Sequence, residues 1–68
     1  MSRRQRQLDE LRSLCGSGAV ARAVDLAHAH VADFGCDDEV VSLLAEAIDR
    51  LRPGDDVRTR FAELAARC

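Results

Sequence analysis

Apolar residues recur along this chain at helical intervals, and four stretches separate where the recurrence is interrupted. Between Ser2 and Cys15, Leu8, Leu11, Leu14 and Cys15 share one face while Asp9, Glu10 and Arg12 fall away from it, which predicts a first helix. Gly16 is expected to end it, since glycine tolerates the left-handed conformation that closes a helix, and Ser17 then stands where it can cap the next. A second helix is predicted from Ala19 to Phe34, with Val20, Ala23, Val24, Ala27, Val31 and Phe34 on one face. Its two central alanines allow a neighbouring axis to approach closely, so this helix is expected to be the innermost.

Gly35 closes the second helix, and Asp37, Asp38 and Glu39 supply a cap and negative charge for the start of a third. Val40, Val41, Leu44, Ala47, Ile48 and Leu51 make this third segment the most amphipathic, and Leu43 widens its stripe beyond what one neighbour covers. Pro53-Gly54 stops it, and Asp55 or Asp56 is expected to cap a fourth helix carrying Val57, Phe61, Leu64, Ala65 and Cys68. Connections this short fold each helix back on the last. The expected fold class is therefore all-α, with four short antiparallel helices forming two stacked helical hairpins. Residues 1–68 read as one domain, with residues 1–6 a basic, flexible N-terminal arm.

Laying the chain on itself with Leu11 over Ile48 also brings Leu14 over Leu51, Val20 over Val57 and Val24 over Phe61. The glycine turn after the first helix then meets Pro53-Gly54, so the halves agree in pattern although few positions are identical. Over residues 8–35, a short glycine turn followed by Arg22-Ala23-Val24 and the small Ala27 resembles, in part, a tetratricopeptide-like helical hairpin. The segment carries no large aromatic in its first helix and has Gly35 where that family usually places proline. The resemblance implies a scaffold that binds peptides or helices. Two hairpins fall short of the three repeats an array usually needs, so it also implies self-association or docking onto a larger protein.

Length sharpens that expectation. A chain of 68 residues buries only about 60% of the surface its unfolded form exposes, which leaves a small core in want of help. The net charge is −2, and all ten basic residues are arginine, a bias that suits a GC-rich bacterial genome. No apolar run reaches the roughly 18 residues of a membrane span, no signal-peptide pattern follows the basic arm, and a cytoplasmic location without membrane contact is expected.

Three scattered cysteines, Cys15, Cys36 and Cys68, argue against a disulfide framework or a paired-cysteine metal knuckle, so reduced thiols are expected. Cys15 and Cys68 fall on apolar stripes and read as small buried hydrophobes, whereas Cys36 follows the terminal glycine of the second helix and reads as the exposed thiol. His28, His30, Asp33, Cys36 and Asp37 are the metal-ligating residue types nearest one another. Residues two apart on a helix diverge by about 200°, so His28 and His30 cannot share an ion, and ordinary boundary histidines are expected. The two histidines are also the groups through which a binding surface could respond to pH near neutrality.

No nucleophile stands beside a base in the sequence pattern, and both aspartate pairs sit at helix starts where capping accounts for them; neither enzyme activity nor a cofactor is expected. Arg3, Arg4, Arg6 and Arg12 could touch phosphate, but Glu46, Asp49 and Glu63 on the later helices argue against a recognition helix. The leading expectation is a small protein-interaction module that pairs with itself or joins a larger complex through Val41, Leu43 and Ile48. A helical DNA-binding regulator is the runner-up, and a metal or redox sensor using Cys36 is third.

Overall fold

The computed structural model describes residues 2–68 and contains four helices: α1 (Arg3–Gly16), α2 (Val20–Phe34), α3 (Asp38–Leu51) and α4 (Asp55–Ala66). Helix α1 starts where expected, with Ser2 extended and its hydroxyl accepting from the Gln5 backbone N–H. Arg3, Arg4 and Arg6, read from sequence as an arm, form the opening of this helix. Met1 lies outside the described residues.

The α1–α2 turn differs from the expected one. Gly16 remains helical, Ser17 closes α1 by donating its hydroxyl to the Leu14 carbonyl, and Gly18 takes the left-handed backbone at φ +86°. Helix α2 then begins after Ala19 without a side-chain cap. Ser17 is drawn back to the preceding helix because the left-handed residue reverses the chain only after it. Gly35, at φ +85°, ends α2 as predicted, and Asp37 caps α3 by accepting from the Glu39 N–H. Arg52 takes the left-handed conformation that stops α3 ahead of Pro53. Gly54, rather than an aspartate, is the residue preceding α4, and Asp55 and Asp56 lie inside its first turn, where their charge meets the positive end of the helix.

Packing follows the order of two stacked hairpins. Helix α1 lies against α2 and α3, and α4 against α2 and α3, while α1 and α4 do not meet among the described residues. Helix α2 is innermost, as its alanines foretold, burying Val20, Ala23, Val24, Ala27, His30 and Val31. Leu8, Leu11 and Cys15 of α1, Val40, Leu44 and Ala47 of α3, and Leu64 of α4 complete the core. Leu64 is the one fully buried side chain that α4 contributes among the described residues.

The broad stripe of α3 now has an explanation inside the chain, because α3 touches all three other helices. Val40, Leu44 and Ala47 face inward, while Leu43 and Ile48 pack partly against the core. About 140° separates these last two around the helix.

Candidate functional site

Polar side chains are concentrated where the start of α1, the end of α2 and the start of α3 converge. His30 on α2 is completely buried, yet both ring nitrogens are occupied. Nε2 lies 2.9 Å from Asp37 Oδ2 and donates to it, since the carboxylate can only accept. Nδ1 lies 2.6 Å from the Gln7 amide, which by rotating can serve the neutral or the protonated ring. Asp37 in turn receives the Arg4 guanidinium through two bonds, at 3.0 and 3.2 Å. One carboxylate therefore joins the cap of α3 to α1 and α2. Burial pushes the Asp37 carboxyl up, but the hydrogen bonds from Arg4 and His30, the Arg4 charge and the Glu39 N–H outweigh it and hold the carboxyl below its ordinary value. The same Asp37 bond raises Arg4.

This arrangement has the look of a histidine–carboxylate base, but its geometry fits a structural tie. The ring has no path to solvent and no free nitrogen with which to take a proton from a substrate. His28, two residues earlier, points to the other side and lies 2.9 Å from the Arg60 carbonyl on α4. The divergence expected of the pair is thus realised as ties to different helices. Asp33 turns to Arg3 instead of His30, and among the described residues no group of three potential ligands converges on a metal position.

The cysteines depart from expectation. Cys36 and Cys68 form a disulfide, with Cα atoms 5.4 Å apart, and both residues are exposed. Cys68 is accordingly no core hydrophobe and Cys36 no free reactive thiol. The separation of 32 residues concealed the pairing: α3 and α4 form a closed hairpin that returns the chain end to the α2–α3 loop. Cys15 is the buried residue expected, and burial raises its thiol against the opposing charge of Arg50. Arg50 also donates to the Cys15 carbonyl at 3.0 Å, satisfying an acceptor at the end of α1.

Of the residues considered for phosphate contact, three already hold carboxylates. Arg3 meets Asp33 at 3.4 Å and lies over the Phe34 ring, Arg4 holds Asp37, and Arg12 reaches Asp9 and Glu39. Arg6 is exposed, with no ion pair among the described residues. These pairs leave little concentrated positive charge at this end.

The proposed interface residues occupy two sides of α3. Leu43 lines a small groove with Arg12, Cys15, Gly16, Glu46, Ala47 and Arg50, between α1 and α3. Ile48 lines a larger one, about 440 Å³, with Ala45, Asp49 and Arg52 of α3 and Arg58 and Phe61 of α4. Val41 is half-buried and lies outside the packed core. Phe61, expected on the apolar face of the fourth helix, packs partly against the core and is half-exposed where it lines this groove.

The fold and this surface define a class, a small all-α protein of two stacked helical hairpins. No protein family, characterised protein or solved structure matches the chain.

Proposed function

We propose that this chain is a non-catalytic protein-interaction module that binds through the open α3–α4 end of its hairpin stack. One observation carries the reading. Leu11, Val20 and Val24 of the first hairpin are buried, whereas the residues they match in the second, Ile48, Val57 and Phe61, are half-exposed. The hairpins pack against each other, α3 on α1 and α2 and α4 on α2, and this packing covers Ile48, Val57 and Phe61 only in part. These three side chains pack partly against the core and leave the rest of their apolar surface open, an arrangement suited to a surface that receives another protein. The partial tetratricopeptide-like pattern of residues 8–35 points the same way.

The proposed surface keeps Ile48 and Val41 from the sequence-based interface but places Leu43 on the opposite flank of α3, replacing it with Phe61 and Val57. The non-catalytic reading is supported by the enclosure of His30 and Cys15 and by the involvement of Cys36 in a disulfide. A cytoplasmic location would place that exposed disulfide among reducing thiols, so there the module would work with Cys36 and Cys68 reduced.

A photo-crosslinking residue in place of Phe61 tests the reading in cells that express the full chain. Crosslinks to protein are expected from this position and not from Glu10, which is exposed on α1. Crosslinks from Glu10 with none from Phe61 would overturn it.

A further inference from the structure

We infer that the occupant of the α3–α4 end is a second copy of this chain, related by a two-fold axis that sets the Ile48 and Phe61 surfaces against each other. This inference rests on the interaction reading and names its partner. A surface that pairs with itself through a two-fold axis must carry its own complement. Here the apolar centre, Ile48 and Phe61 with Ala45, is lined by charges of both signs: Asp49 from α3, Arg52 at its end and Arg58 from α4. None of these three takes part in an ion pair within the chain among the described residues, although Arg3, Arg4, Arg12 and Arg60 all do. Their charges remain available to a partner, and a two-fold pairing brings Asp49 of each copy to Arg58 of the other, two equivalent contacts around an apolar centre.

The competing arrangement is head to tail, with the first hairpin of one copy stacked on the second hairpin of the next. It lacks an apolar complement. The exposed positions of α1 are Arg, Gln, Asp, Glu, Ser and Gly, and α2 exposes mostly alanine and charged residues along its length. Phe34, the large apolar residue exposed at the end of α2, lies under Arg3. Head-to-tail contacts would also generate open chains, whereas the two-fold contact closes at a dimer. The small core supplies a reason for pairing, since covering Ile48, Val57 and Phe61 extends to the second hairpin the burial enjoyed by the first.

Sedimentation equilibrium on the intact chain, with charge-reversed variants, provides the test. The wild-type chain is expected to pass from monomer to dimer, and no further, as concentration rises through the micromolar range. Asp49→Arg and Arg58→Asp each place like charges opposite one another and are expected to weaken pairing by about ten-fold or more. An equimolar mixture of the two restores a dimer, because each variant then presents the charge the other lacks. Both positions are exposed, so folding is not at stake, and circular dichroism confirms that helical content is retained. A wild-type chain that stays monomeric throughout would overturn the second-copy inference while leaving the crosslinking result at Phe61 to decide the interaction reading. Growth beyond the dimer, or reversals whose mixture does not recover pairing, would overturn the two-fold geometry.

Discussion

Asp37 does three things at once. It caps α3, accepts from the buried His30 and holds Arg4. Loss of a cap costs about 1 kcal/mol, and a buried nitrogen left without a partner costs about 1–3 kcal/mol, so Asp37→Ala is expected to lower stability by about 2–4 kcal/mol in urea unfolding. The folded-state carboxyl titrates below its unfolded value, so its contribution is complete above the ordinary carboxyl range near pH ~4 and is lost as the pH falls through the lower folded-state value. Asp37→Asn should therefore flatten the acid limb of the stability profile; an unchanged limb would assign acid sensitivity to another group. The cap was legible in the sequence, because Asp37 stands just before an apolar helical run. Its union with His30 was not, because the left-handed turn at Gly35 brings the two together and helical spacing alone does not describe that turn.

Between helices, the glycines show how far pattern alone can locate a turn. The sequence marks Gly16-Ser17-Gly18 as a break, but which glycine takes the left-handed backbone depends on where α1 stops making its own hydrogen bonds. Neither position would bring an added methyl group within 4 Å of a neighbour, so substitution there tests the backbone alone. Gly18→Ala is expected to cost about 1–2 kcal/mol, whereas Gly16→Ala is expected to range from neutral to about 0.5 kcal/mol more stable. Thermal unfolding of the two variants separates them, and equal effects would contradict the turn described. Helix α4 depends on several ties at its edges: His28 to the Arg60 carbonyl, the Arg60–Asp25 ion pair, and the Cys36–Cys68 disulfide beyond its end. Closing so long a loop is worth about 2–4 kcal/mol. Cys68→Ser should lose that much in urea unfolding under oxidising conditions, with the greatest increase in amide exchange along α4. Thiol counting on the wild-type chain should find none reactive when native and one, Cys15, when denatured. Three reactive thiols in the denatured, unreduced chain would remove the disulfide from the account.

At the scale of the whole molecule, four helices and their antiparallel order followed from amphipathic periodicity and short connections, because those signals are local. The direction in which each face points is a property of the assembled stack. The breadth of the α3 stripe suggested an external neighbour, yet three internal neighbours account for most of it, and Leu43 and Ile48 were divided between two sides. What the stack left partly uncovered was set by position: Ile48, Val57 and Phe61 of the second hairpin are half-exposed, whereas Leu11, Val20 and Val24 of the first are buried. The claim that this end is the contact surface is tested most directly by backbone NMR spectra of the wild-type chain diluted from millimolar to low micromolar concentration. Concentration-dependent shifts are expected to concentrate at Ala45, Ile48, Asp49, Arg58 and Phe61, with α1 unaffected. Shifts centred on Leu43 and Arg12, on Phe34, or on no residue at all would contradict that claim.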